Sequence, residues 1–296
     1  MNLSAQTPDP RLSINQGTIK YADLATALRV TAEAGVGAIG PWREPVAEVG
    51  LDTAAKMISD SGLRVSTYCR SGFFTVGDRA AALEDNRRAI EETAVLAAAG
   101  AAGSTPVLVL VAGGLPEGSR DLIGARERVR DGIGALAEDA RAAGVTLAIE
   151  PLHPMFASDR CVVTTLAEAL DIADDFDPEV VGVTVDTFHI WWDPQVLDSI
   201  ARAGRERRIA TYQVCDWRTP LPADVLLSRH YPGDGVIDFA SLTRAVIDTG
   251  YDRDIEVEIF NQDVWDDAPA NVVARTIESF RKTVSPHLVA AVDSVG

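Results

Sequence analysis

Short apolar runs rich in Val, Ile and Leu recur along the chain. Each is followed by a longer segment in which Ala, Leu and Ile return every three or four positions among Arg, Glu and Asp. The first pattern is that of a strand covered on both faces, the second that of an amphipathic helix. Strands are expected at 11–16, 36–42, 64–69, 106–112, 146–150, 181–186, 210–215 and 255–260, eight in all, and the clearest helical stretches at 22–34, 79–99 and 122–143. Several helical segments run into a glycine just before the next strand (Gly35, Gly62, Gly144, Gly250), where a left-handed residue closes a helix.

Strict strand–helix alternation implies parallel strands joined by right-handed crossovers. An open doubly wound sheet and a closed barrel share that pattern. The count of eight, the length of 296 residues and the polar or acidic residues ending several different strands favour a single (β/α)8 TIM barrel, of class α/β. No glycine fingerprint for a dinucleotide or phosphate follows the first strand. The barrel is expected over 11–288, with flexible tails at 1–10 and 289–296. The longer strand-to-helix loops, 70–77, 113–121, 151–165 and 217–237, all fall on the face where barrels place their chemistry.

Composition narrows the picture little, charge rather more. With 47% hydrophobic and 24% charged residues the chain can bury a large core without disulfides or structural zinc. A formal net charge of −17 repels phosphate backbones and argues against nucleic acid. The three cysteines, Cys69, Cys161 and Cys215, are odd in number and form no CxxC pair, which fits a reducing, cytoplasmic setting. No secretory signal or membrane-length apolar run is legible, so no membrane partner is expected. The lysines, Lys20, Lys56 and Lys282, fall outside every expected strand, which disfavours a Schiff-base aldolase.

Four residues draw attention at the ends of the later strands: Glu150 in TLAIE, Asp186 in VGVTVD, Gln213 in ATYQV and Glu258 in DIEVEIF. A carboxylate in the mouth of an apolar barrel is costly unless compensated, and three together raise one another's pKa. A hard divalent cation removes both problems, and carboxylate and amide oxygens suit Mn²⁺, Mg²⁺ or Co²⁺. Any one such acid is equally a loop cap or an ion-pair partner; four on consecutive strands strengthen the metal reading.

The motifs IEPLHP, VDTFHIWWDP, YQVCDW, GDGVIDF and EVEIFN together resemble the xylose isomerase-like barrel superfamily, the sugar phosphate isomerase/epimerase group, over about 11–287. The resemblance implies one metal, Mn²⁺ first, held by Glu150, Asp186, Gln213 and Glu258, with Glu150 and Glu258 also the catalytic acid/base pair. Ketose 3-epimerases usually carry His at the third position, whereas Gln213 is similar to hydroxypyruvate isomerases. Substrate contacts are expected from His153, His189, Arg218, Arg70 and Trp217, with Asp216 orienting Arg218 or a histidine. Trp42, Phe73, Trp191 and Trp265 are further candidates for the cavity wall, and Asp238 for a helix N-cap.

The implied function is a metal-dependent isomerase or epimerase of a non-phosphorylated sugar or keto-sugar, working through an enediolate. The late loops carry Asp216, Asp234 and Asp263 and no glycine-rich cradle, hence the expectation of no phosphate. The same intermediate allows a lyase of the inosose dehydratase or C-glycoside deglycosidase type, and a non-catalytic sugar-binding protein is a third reading. The expected partner is a small carbohydrate, with a homo-oligomer or a small partner subunit as protein partners. An endonuclease relative would need more than four histidines and a basic groove.

Overall fold

The computed structural model describes residues 7–289; the expected tails lie largely outside them. Nine parallel strands make one sheet: β1 (Leu12–Asn15), β2 (Ala38–Gly40), β3 (Arg64–Val65), β4 (Tyr68–Gly72), β5 (Val107–Val111), β6 (Thr146–Glu150), β7 (Val181–Asp186), β8 (Ile209–Val214) and, after two short strands described below, β11 (Ile255–Val257). Their order is β3-β2-β1-β11-β8-β7-β6-β5-β4. The two ends of that order, β3 and β4, are halves of one broken strand, so the sheet occupies eight positions and closes on itself. A parallel bridge between Trp42 and Cys69 joins the seam, and Cys69 N–H donates to Pro41 O at 3.1 Å. The chain is an (β/α)8 barrel with helices outside.

The third strand, expected unbroken at 64–69, is interrupted at Ser66 and Thr67, and the interruption has a cause inside the barrel. Both hydroxyls turn inward and donate to the carboxylate of Glu256, at 2.5 Å from Ser66 and 2.9 Å from Thr67. Asn15 Nδ2 (2.6 Å) and Gln213 Nε2 (2.9 Å) complete its shell. Burial raises the pKa of Glu256, and these four donors pull it back. Gly40 makes room, because a Cβ there would fall 2.3 Å from Glu256 Oε2. The barrel interior therefore carries a hydrogen-bonded polar layer directly beneath its mouth, within walls of Val, Ile and Leu.

Outside, the caps follow the sequence. Asp23, Asp78 and Asp121 each accept from a main-chain N–H three residues on at 2.8 Å, opening helices Leu24–Glu33, Arg79–Ala99 and Leu122–Gly134. Asp238 does the same for Phe239–Asp248, from Ser241 N at 3.1 Å. Gly62 and Gly144 are left-handed, with φ of 69° and 67°, where a side chain would be strained. The helix expected over 122–143 breaks into Leu122–Gly134 and Ala137–Ala143. Two glycines weaken it there, and Gly132 admits the Phe74 ring, to which a Cβ would come within 2.3 Å. All three cysteines are buried and free, and among the described residues no helix is long and apolar enough to cross a membrane.

Candidate active site

At the C-terminal mouth of the barrel lies a cavity of about 480 Å³. Its floor holds Glu150, His189, Arg229 and Glu258; its walls include Trp42, Arg70, Phe73, Val111, Phe260 and Trp265. Three strands deliver the acids. Glu150 ends β6, Asp186 ends β7, and Glu258 follows the last residue of β11. Asp186 stays in place because its Oδ1 accepts from Phe188 N at 2.9 Å, capping the single helical turn Thr187–Ile190 that carries His189. All these side chains are buried, Asp186 completely.

Gln213 sits in β8 beside Glu256 of β11, in register with it. Its amide nitrogen is spent on Glu256, which leaves the amide oxygen buried without a partner. Glu150 Oε1 is likewise buried and unpartnered. Asp186 Oδ2 makes no aligned hydrogen bond, but Arg229 Nη1 lies 2.8 Å from it and His189 Nε2 3.9 Å. Unmet buried acceptors are costly, and those of Glu150 and Gln213, beside the carboxylate of Asp186, favour a cation.

Part of that charge comes from Arg229, which the sequence reading did not single out. It lies on β10 (Arg229–His230), paired antiparallel with β9 (Asp216–Trp217) above the barrel. Its guanidinium is buried between the rings of Phe188 and Phe260, 4.6 and 5.1 Å from their centroids. Nη1 reaches Glu258 Oε2 at 3.1 Å, and Nη2 lies 2.8 Å from His189 Nε2. Asn261 holds the strand by donating from Nδ2 to the carbonyls of Leu227 and Arg229, at 3.1 and 3.0 Å. Burial works against the charge of Arg229, but Asp186, Glu258 and Glu150 together keep it firmly protonated.

One guanidinium does not balance three carboxylates above a fourth. Burial first, then the charges of Glu258 and Asp186, push Glu150 well above the ordinary carboxylate range. Burial also drives Glu258 up to about 8, with Asp186 and Glu256 adding to the rise and Arg229 opposing it. His189 is held well below the usual imidazole value by burial and then by Arg229. It is neutral, with one lone-pair nitrogen, yet His153 N–H donates to Nδ1 at 3.1 Å while Arg229 faces Nε2. It can satisfy only one of these donors at a time. Glu150, Asp186 and His189 each offer one donor atom, and these lie within 4.8 Å of one another. Carboxylate, amide and imidazole donors in this setting fit a divalent cation.

The expected substrate contacts divide. Arg70 lines the cavity, its guanidinium 5.0 Å from the Trp42 ring and 5.6 Å from that of Phe73. His189 lies on the floor. Arg218 does not reach the cavity: it is half exposed at the rim, 3.6 Å from Asp263. Trp217 is buried against Phe188, His153 and Trp191, behind the wall rather than on it. His153 packs edge-on to Trp192, and it touches the site through its main-chain N–H.

Asp216 orients neither Arg218 nor a histidine. Its carboxylate accepts from the N–H groups of Trp217, Gly233, Gly235 and Ile237, at 2.8, 2.8, 2.8 and 3.0 Å. It is thereby the anchor of the GDG loop that follows β10. Asp216→Ala leaves the buried N–H groups of Trp217 and Ile237 without their acceptor, frees the loop at Gly233 and Gly235, and is expected to cost about 3 kcal/mol. Urea unfolding checks this; an unchanged midpoint would remove the anchor role.

A family model described as xylose isomerase-like TIM barrel matches residues 28–283. Protein SMc04130 from Sinorhizobium meliloti 1021 is 44% identical with a TM-score of 0.87, covering 93% of this chain and 98% of that one. The IOLI protein, solved with a binding zinc atom, is 20% identical with a TM-score of 0.79, covering 94% and 99%; that likeness is one of fold. The inosose isomerase of Bacillus velezensis is 26% identical over 157 residues, 52% of this chain and 54% of that relative. The chain thus spans about half the length of the curated relatives it matches.

Proposed function

The chain belongs to the xylose isomerase-like TIM-barrel family, and from that premise we propose that it is a divalent-metal-dependent isomerase or epimerase of a non-phosphorylated sugar or keto-sugar. The observation that carries the reading is the cluster of Glu150, Asp186 and His189, whose donor atoms lie within 4.8 Å of one another, beside Glu258 at the floor of the cavity and next to the buried, unpartnered amide oxygen of Gln213 on the neighbouring strand. Glu150, Asp186 and Gln213, with Glu258 or His189, are the residues that would hold the cation. Bound there, it would polarise a substrate carbonyl and stabilise the enediolate.

The chain supplies the proton chemistry. Glu258, raised to about 8, can exchange a proton near neutral pH, as a general acid or base must. Glu150, raised by the same burial, is the second carboxylate, and a pair of this kind removes a proton from one carbon and returns one to the same or the neighbouring carbon. Arg229 keeps Asp186 and Glu258 in place and offers a donor to a hydroxyl or enediolate oxygen. Val109, Val111, Leu152 and Phe260 line the cavity with apolar surface and limit the water that could intercept the intermediate.

A panel of ketoses and inososes incubated with the Mn²⁺-loaded protein in deuterated water tests this. Deuterium is expected at the carbon next to the carbonyl, in a retained carbon skeleton. Loss of a substituent would replace the isomerase reading with a lyase; binding without exchange would leave a sugar-binding protein.

A further inference from the structure

The chain carries 44 acidic and 27 basic residues, and some of its arginines gather several carboxylates: Arg43 holds Asp85 and Glu92, and Arg202 holds Asp171, Asp174 and Glu206. Three cations on the cavity wall are far less engaged. Arg70 and Lys20 form no ion pair among the described residues, and each lies over an aromatic ring, Lys20 at 4.5 Å from the Trp265 centroid. Arg160 reaches only its neighbour Asp159, at 3.7 Å, and its Nε is buried with no hydrogen-bond partner.

The rings beneath them are fixed. Trp42 Nε1 donates to Asn15 Oδ1 at 2.6 Å, and Trp265 Nε1 to Gly17 O at 2.8 Å. Arg70 and Lys20 therefore rest on locked platforms, which lowers the entropy lost when they grip a ligand. Arg70, Arg160 and Lys20 all line the one cavity whose floor carries Glu150 and Glu258. The cavity is thus bipolar, with carboxylates below and guanidinium groups above. A neutral sugar uses only the lower half. Asp224 is the one acid of the upper wall, and its Oδ1 is occupied in accepting from Leu226 N at 3.1 Å.

Resting on the reading of this cavity as a sugar site, we propose that its substrate carries a carboxylate, gripped by Arg70 and Arg160 while the hydroxy-ketone end meets the Glu150–Asp186–Glu258 floor. Guanidinium forks match the planar, singly charged carboxylate. The substrate class is then a keto sugar acid, and Arg70 and Arg160 set specificity without taking part in proton transfer.

The test is a pair of ligands with equal carbon count, D-fructuronate and D-fructose, titrated into Mn²⁺-loaded protein by calorimetry and by tryptophan fluorescence. The acid is expected to bind about tenfold more tightly, and Arg70→Gln and Arg160→Gln each to remove most of that preference, read as the ratio of the two affinities in the same variant. Added salt should weaken the acid alone. Equal affinities, no binding of the acid by either readout, or a preference that survives in the double variant would overturn the inference. Deuterium exchange separates it from the functional reading. Exchange into D-fructose without preference for the acid defeats only the carboxylate grip, whereas a tightly bound acid that never exchanges defeats the isomerase.

Discussion

Glu258→Gln is expected to lower deuterium exchange by about 10²–10⁴-fold while the protein still binds Mn²⁺ and sugar. The amide keeps an oxygen toward the cavity and nearly the same volume, so the loss isolates the proton-carrying role from the ligand role. Glu258 is the right residue on which to make the separation. Its carboxyl is buried, shares Arg229 with Asp186, and is pushed up to about 8, so both protonation states are populated under working conditions. Glu150→Gln should be as damaging for a compound reason, because Glu150 Oε1 is also one of the unpartnered acceptors. Its metal content, measured on the same sample, should fall with its exchange rate, whereas that of Glu258→Gln should not. Exchange retained in both variants would leave these carboxylates without the assigned chemistry.

The barrel was legible because parallel strands covered on both faces read as continuous apolar runs, and eight of them are hard to arrange otherwise. Boundaries were less so. The expected strand at 255–260 is regular over Ile255–Val257, with one further main-chain bond from Glu258 N to Val214 O, and 64–69 is broken at Ser66–Thr67. Both residues read as ordinary strand residues. Only the presence of Glu256 across the interior, donated from β11, explains why their hydroxyls are drawn inward. That acid had a signal in the sequence: in DIEVEIF, Glu256 and Glu258 are two apart and so face the same side. If one points into the barrel, so does the other.

The acids of the floor were visible because strand ends are local features. Arg229 was not, because its position depends on a loop. Residues 217–237 offer both Arg218 and Arg229, and nearness to the β8 strand end favours the first. What decides otherwise is tertiary. Asp216 gathers four N–H groups, Asn261 holds two carbonyls, and the resulting ribbon turns Arg229 inward and leaves Arg218 at the rim beside Asp263. Likewise, aromatic residues near strand ends divide between wall and core according to packing: Trp42 and Trp265 face the cavity, while Trp217 lies behind it.

Metal-free protein is expected to lose stability as the pH rises from about 6.5 to 8, and saturating Mn²⁺ to cancel that loss. The sign follows from which state holds the proton. Glu258 has a folded value of about 8 against an ordinary 4.5, so the folded protein binds the extra proton, and its advantage is complete below 4.5 and gone by about 8. Glu150 and Glu256 shift in the same direction. The buried His189, with its lowered value, pulls the other way, as do His153 and His230; their unfolded counterparts titrate near 6.5, so they offset part of the loss at the lower end of the range and fade about one pH unit above it. Within the remaining window one titrating carboxyl is worth about 2 kcal/mol, or about 5 °C in Tm. A bound cation takes the place of those protons, so at a hundredfold excess over its Kd it adds about 2.7 kcal/mol and the gap between the metal-bound and metal-free Tm widens with pH. Thermal melts at pH 6.5, 7.2 and 8.0 after chelation, with and without added Mn²⁺, measure this. Superimposable profiles would mean that Arg229 alone neutralises the floor, and the cation would have no place there.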